Sequence, residues 1–189
     1  QSFNAFMNFM EDMGFTSDDW FAETYFWDNE YDPNDYLKAR EFLLKHKDPE
    51  FKKSQRDDLL SMETGLMQYK GHVHFTVGKC ITPSLESLDK ETDRSEVLKV
   101  ACKSIDNLIH AGYYIYPINY IAHDKLESST RFAEFYTAEQ VAAFDKYIES
   151  QLAKVDDVPN LEEDDYAFMR QRMLEMYANP LKNQLALEQ

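Results

Sequence analysis

Two histidines and a cysteine give this chain the stretch that looks most like chemistry. His72 and His74 lie two residues apart in GHVHFTVGKC (71–80), and Cys80 follows the second histidine by six residues. Imidazoles and thiolates bind metal ions, and a thiolate beside an imidazole can act as a nucleophile. The stretch is therefore a metal site, a catalytic site or a strand that carries two histidines.

The alternation of side chains in this stretch favours a strand. Val73, Phe75 and Val77 share one side, while His72 and His74 share the other. A period of two is typical of a half-buried strand. A metal ion needs a third and a fourth ligand, and no HExxH, paired CxxC or nearby run of acids supplies them. We therefore expect two partly exposed histidines and no metal site.

The two cysteines, Cys80 and Cys102, have no catalytic signature around them. Cys102 follows Ala101 on an apolar helix flank, which predicts a packing role, and Cys80 precedes Ile81 and Pro83. Two cysteines do not make the disulfide framework of a small secreted domain, so we expect a reducing compartment. The acidic stretch LEEDDYAF (161–168) lacks the spacing and central glycine of a calcium loop, and it predicts a helix start.

Helical periodicity dominates the elements that must position these residues. We expect helices at about 36–47, 54–69, 94–110, 119–126, 137–152 and 162–177, after an N-terminal helix from Phe3 to Met13 and a short one capped by Thr16 or Ser17. A short helical tail is expected after Asn179-Pro180. Strands are expected at about 23–27, 72–81 and 113–118, and a turn with a helix cap at Asp32–Asp35. The predicted fold class is mixed α/β and predominantly helical, with six or seven helices and two or three short strands. So few strands make a poor sheet alone, and a larger sheet would lie partly outside this chain.

The net charge of −15 disfavours binding to nucleic acids and to anionic lipid. Nine acidic residues lie between Glu11 and Asp35, and the first base is Lys38. Such a run forms a solvated acidic face or a docking surface for a basic partner. No apolar run reaches the length of a membrane span and no signal peptide opens the chain, so we expect a cytoplasmic protein. The first residue is not Met, which predicts a processed product or a fragment.

Four segments carry a family resemblance: EYDPNDYLKAREFL (30–43), SMETGLMQYKGHVHFTVGKCI (61–81), IYPINYIAHDKL (115–126) and MLEMYANPLKNQL (173–185). Together they resemble the C-terminal half of a bacterial 1-acyl-glycerol-3-phosphate (lysophospholipid) acyltransferase family, in the version typical of Bacteroidetes. The resemblance runs from about Glu30 to the C-terminus. It implies that the segment with Gly71, His74 and Gly78 is a strand of the family's α/β sheet.

The resemblance implies acyl transfer from an acyl thioester or acyl carrier protein to a lysolipid hydroxyl at the inner face of the membrane. In the family, the histidine of a His-x-x-x-x-Asp motif is the general base and the aspartate orients it. The residues five positions after the histidines of this chain are Phe51, Val77, Lys79, Ile115 and Ser128. No catalytic residue, cofactor-binding residue or metal ligand is therefore carried over.

The expected organisation has three parts. Residues 1–29 form an aromatic, acidic helical segment that does not match the family, 30–127 an acyltransferase-like core remnant, and 128–189 a helical extension. Three hypotheses follow. The chain is the C-terminal part of an acyltransferase, inactive without a catalytic half and peripheral at the inner membrane in that context. Or it is a relative that lost its active site and binds an acyl ligand or a partner. Or it is a non-catalytic acidic module for a basic protein partner.

Overall fold

The computed structural model describes residues 25–89 and 92–187. The helix expected from Phe3 to Met13, the short one after it and most of the acidic run lie outside these ranges. The elements, in chain order, are β1 (Tyr25–Asn29), α1 (Asp35–Lys47), α2 (Gln55–Met67), β2 (Val73–Val77), α3 (Thr82–Glu86), α4 (Arg94–Gly112), α5 (Pro117–Leu126), a 3-10 turn (Ala133–Phe135), α6 (Ala138–Leu152) and α7 (Glu163–Ala186).

The predicted fold class is confirmed, because helices dominate and the described strands pair in one two-stranded antiparallel sheet. Several predicted helix starts are confirmed as well. Ser54 and Asp57 form a capping box for α2, and Thr137 and Gln140 form another for α6. The acidic stretch after Leu161 opens α7, with acids in its first turn as the helix dipole favours.

Several elements differ from their predictions. The strand expected at 113–118 is wrong, because residues 113–116 form no strand and Pro117 begins α5. Proline is well suited to the first helical position, where its missing N–H has no partner to lose. The last helix continues past Tyr177 and through Pro180 to Ala186, and β2 is shorter than the strand expected at 72–81.

The chain divides into two compact units, of which the larger contains residues 28–74 and 114–187 of the described ranges. Helices α1, α5 and α6 pack against α7 in this unit. The core side chains include Leu43, Ile121, Phe144, Ile148, Met169 and Met173, each almost fully buried. Burial of these apolar faces is the main force that assembles the unit.

The smaller unit contains residues 25–27 and 75–113 of the described ranges. Here α3 packs on α4, and the Thr76 hydroxyl donates to the Gly112 carbonyl over 3.1 Å. The rings of Phe26 and Tyr113 meet edge to face. None of its described side chains is fully buried. In neither described range is any helix both long and apolar enough to cross a membrane.

Candidate functional site

Strand pairing places an acidic residue opposite each of the two histidines. The Glu30 backbone N–H donates to the His72 carbonyl over 2.8 Å, and this register puts Asp28 opposite His74. The Glu30 carboxylate also lies 2.7 Å from Nδ1 of His72 and accepts the His72 backbone N–H over 3.1 Å. Sequence reasoning missed both acids, since only the pairing of β1 with β2 brings them to the histidines.

The two histidines lie at an open cavity of about 360 Å³. The described residues that line it are Glu30, His72, Val73, His74, Tyr114, Tyr116, Pro117 and Gln140. The ring of Tyr114 lies 5.5 Å from that of His74 and 4.8 Å from that of Tyr116, measured between centroids. The cavity therefore presents aromatic rings beside a carboxylate.

The groups of this cavity are not arranged for nucleophilic chemistry. Burial raises the pKa of Tyr116 to about 12, and the charges of Asp28 and Glu30 add to the rise. The Tyr116 hydroxyl accordingly stays protonated and donates to the His72 carbonyl over 3.3 Å. The described lining offers no serine, cysteine or lysine for the His72 imidazole to activate.

The remaining candidates from the sequence do not form a second centre. Among the described residues, no three His, Cys, Asp or Glu side chains are grouped closely enough to hold a metal ion. Both cysteines are free thiols. The packing role predicted for Cys102 is wrong, since its side chain is on the exposed side of α4, and Cys80 is half-buried.

Sequence reasoning missed a buried polar cluster, which we call the Asp35 centre: Asp35, Tyr147 and Tyr177. Asp35 begins α1 and is fully buried. Its Oδ2 accepts the hydroxyl of Tyr147 from α6 over 2.7 Å and that of Tyr177 from α7 over 2.5 Å. The Tyr177 oxygen in turn accepts the backbone N–H of Asp32 over 3.1 Å. One carboxylate oxygen thus joins three helices.

Burial dominates the ionisation of the Asp35 centre. It raises the pKa of Asp35 to about 7, although the hydrogen bonds from the two tyrosines act to lower it. The charge of Asp32 raises this pKa further, and that of Lys154 lowers it. Burial, followed by the charge of Asp35, raises the pKa of Tyr147 and of Tyr177. A carboxyl group that lies beside a cavity and has a pKa raised this far is typical of functional sites.

A second cavity, of about 220 Å³, adjoins the Asp35 centre. Its described lining is Asn29, Asp32, Asp35, Asn119, Met176, Tyr177 and Pro180. The side chain of Asn119 is held firmly, because its Oδ1 accepts the Tyr116 N–H over 2.7 Å and its Nδ2 donates to the Tyr177 carbonyl over 2.8 Å. The sequence pattern assigned Asp35 only to a turn and cap, and the tyrosines 112 and 142 positions away left no local signal.

Neither cavity contains a residue pattern that is diagnostic of one reaction. Comparison of the chain with models of known protein families, with curated proteins and with solved structures finds no significant match. A function must therefore follow from the residues and their contacts.

Proposed function

We propose that this chain is the C-terminal, non-catalytic part of a glycerolipid acyltransferase, or a relative of such an enzyme without its active site. The parent reaction moves an acyl group from a thioester to a lysolipid hydroxyl. The observation that carries the proposal is that the four segments of the family resemblance contact one another inside the larger unit.

These contacts are polar and mostly buried. Asp35 from segment 30–43 accepts the Tyr177 hydroxyl from segment 173–185, and Asn119 from segment 115–126 donates to the Tyr177 carbonyl. The Tyr116 hydroxyl reaches the His72 carbonyl in segment 61–81. If the resemblance reflects a common structure, we expect the four segments to provide hydrogen-bond partners for one another's buried polar groups.

The role that fits these residues is support of a catalytic half. The 189 residues contain no His-x-x-x-x-Asp motif. The described lining of the cavity at His72 and His74 offers no serine, cysteine or lysine. A two-stranded sheet is marginal by itself and has edges that can pair with further strands. We infer that the chain would complete the sheet and helical layer of a catalytic segment that supplies the base.

The test is an acyl-transfer assay with palmitoyl-CoA as donor and lysophosphatidic acid as acceptor. The purified chain should form no product above the buffer control. If the complete gene product carries a His-x-x-x-x-Asp motif, it should transfer the acyl group. A shortened gene product that ends just before Glu30 should have lost that activity. Turnover by the isolated chain, or full activity of the truncated gene product, would contradict the proposal.

The second form of the proposal, a relative of the enzyme without its active site, leads to a different prediction. If the gene product has no such motif, the chain should bind palmitoyl-CoA in isothermal titration calorimetry without consuming it. A chain that neither binds the thioester nor supports its turnover would exclude both forms of the proposal.

The acidic charge favours a second candidate, an interaction module for a basic protein. The net charge of −15 and the run of acids before Lys38 are the observations behind it. Binding to a basic protein should weaken steeply with salt. Reversing the charges of Asp18 and Asp19 to Lys should weaken it further, and binding that is unaffected by salt would argue against this role.

A further inference from the structure

The cavity beside the Asp35 centre contains hydrogen-bond acceptors that the described chain does not satisfy. Asp35 is fully buried, and its Oδ2 accepts both tyrosine hydroxyls. Its other oxygen, Oδ1, accepts no hydrogen bond from the described residues, and the same holds for the buried Oδ1 of Asn29. Both residues line the 220 Å³ cavity. Buried acceptors without donors are rare in folded proteins because their desolvation is not repaid.

The charge of the cavity indicates the sign of the missing group. Asp32 and Asp35 are both in its lining, and no lysine, arginine or histidine is among the described lining residues. A ligand that suits this cavity therefore brings donors and positive charge. An anion would meet two carboxyl groups and no cationic partner.

The side chains that line this cavity are better suited to an organic cation than to a metal ion. No group of three His, Cys, Asp or Glu side chains in the described ranges could hold a metal ion. A primary ammonium group has three N–H donors and a compact charge, which match Asp35 Oδ1, Asn29 Oδ1 and the carboxylate of Asp32. Met176 and Pro180 give the same cavity an apolar side, which suits a short alkyl stem.

We propose that the cavity lined by Asn29, Asp32, Asp35 and Met176 binds a small primary ammonium ion on a short alkyl stem. The proposal stands apart from the acyltransferase assignment, since it depends only on the acceptors, charge and volume of this cavity. Its test has no acyl-transfer readout, so either proposal can fail without the other.

The test measures the melting temperature of the chain at pH 8, where the Asp35 carboxyl is mostly charged, in ethylammonium chloride, tetramethylammonium chloride and potassium chloride at equal ionic strength. Ethylammonium should raise the melting temperature in proportion to the logarithm of its concentration above its Kd, by about 4 °C at ten times its Kd. Tetramethylammonium has the same charge but no N–H donor, and it should give no more than potassium. Equal shifts with all three salts would overturn the proposal, as would a shift produced by potassium alone.

Two variants locate the site. Asp35→Asn keeps the size of the side chain and removes its charge, so the ethylammonium shift should disappear. Asn29→Ala removes the second acceptor without touching the tyrosine hydrogen bonds, and it should weaken ethylammonium binding at least fivefold in calorimetry. This variant keeps the proposal testable if Asp35→Asn fails to fold. Glu63→Gln removes an exposed charge from α2 and should leave binding unchanged. Unchanged binding in Asn29→Ala, or equal loss in Glu63→Gln, would overturn the assignment.

Discussion

Asp35 joins α1, α6 and α7 through one carboxylate oxygen. Burial of a charged carboxylate is unfavourable by more free energy than two hydroxyl hydrogen bonds normally contribute. Burial therefore outweighs these bonds and raises the pKa of Asp35 to about 7. The carboxyl is mostly neutral below this pH and mostly charged above it. The packing of three helices is therefore linked to a proton.

We predict that Asp35 makes the protein less stable as pH rises. Its pKa is about 7 in the folded state against an ordinary value of 3.8, so the folded state binds the proton more tightly. The contribution is fully present below about pH 4 and is lost as pH rises through about 7. The two values differ by about three, which corresponds to about 4 kcal/mol of unfolding free energy. Urea unfolding at pH 4, 5, 6, 7 and 8 measures this loss of unfolding free energy.

The comparison that isolates this effect is with Asp35→Asn, which cannot ionise. Other acids, such as Asp57 and Asp157, have pKa values lowered by their partners and change stability in the opposite sense. The difference in unfolding free energy between wild type and variant should therefore shift in favour of the variant from pH 5 to pH 8. A pH-independent difference would mean that Asp35 does not titrate in this range.

Asp124 is the opposite case, a buried carboxylate that is kept charged. Its oxygens accept the Ser129 hydroxyl over 2.6 Å, the Phe132 N–H over 2.9 Å and the Tyr136 hydroxyl over 2.9 Å. Burial acts to raise the pKa of Asp124, and these three donors outweigh it and lower the pKa.

We predict that Asp124→Ala destabilises the protein by about 3 kcal/mol, because it leaves buried donors without an acceptor. Asp124→Asn should cost less, since one acceptor oxygen remains. Thermal unfolding at pH 7 measures both, and Asp156→Ala on the exposed surface serves as the control. A cost for Asp124→Ala that equals the control would exclude a role for this cluster.

At the scale of elements, Asn119 connects α5 to α7 close to a proline inside a helix. Pro180 cannot donate to the carbonyl four residues before it and crowds that turn. Asn119 donates to the neighbouring carbonyl of Tyr177, so a side chain from α5 supports the helix where its own ladder is interrupted. This contact helps α7 to continue beyond the point at which the sequence predicted its end.

We predict that Asn119→Ala lowers the unfolding free energy by about 3 kcal/mol, because the buried Tyr116 N–H and Tyr177 carbonyl both lose a partner. Asn119→Asp keeps the acceptor for Tyr116 and should keep part of the stability. Asn107→Ala, on the exposed side of α4, controls for the substitution itself. If Asn119→Ala and Asn107→Ala cost the same in urea unfolding, the connection is energetically unimportant.

Elements were predictable from the sequence wherever the signal was local. Apolar periodicity and the capping residues Ser54 and Thr137 located helices that the structure confirms. The β-rich composition of YYIYPI predicted a strand, but the proline began a helix instead. The strand propensity of these residues was outweighed by the backbone geometry of Pro117 and by the packing of α5 on α7.

The candidate sites were predictable only in part, for the same reason. His72 and His74 stood out by residue type, but Glu30 and Asp28 reach them through strand pairing. Asp35 was one acid among thirty-five, and its partners lie more than a hundred positions away. Burial separates it from the other acids, and burial is a property of the folded chain.

At the scale of the whole molecule, the described parts of the two compact units differ in how much apolar surface they bury. Every fully buried apolar side chain of the described ranges belongs to the larger unit. In the smaller unit, α4 has no fully buried residue, and Leu98 is 55% exposed. Segments with few buried contacts open with a smaller free energy than the core.

We predict that native-state hydrogen exchange ranks the units by this difference. Backbone amides in α4 should exchange at a lower opening free energy than those in the centres of α5, α6 and α7. Exchange followed by mass spectrometry at pH 6, with rising low concentrations of urea, measures it. Equal protection of α4 and α7 would show that burial within the described ranges does not set the stability of the smaller unit.

The tyrosines of the Asp35 centre also provide a spectroscopic signal in alkali. A phenol absorbs near 295 nm once it loses its proton, and the raised pKa values of Tyr147 and Tyr177 keep both protonated while the helices stay together. The pKa of Tyr116 is raised less far, to about 12. The last two phenols to ionise should therefore do so in one cooperative step, and that step marks the separation of α1, α6 and α7.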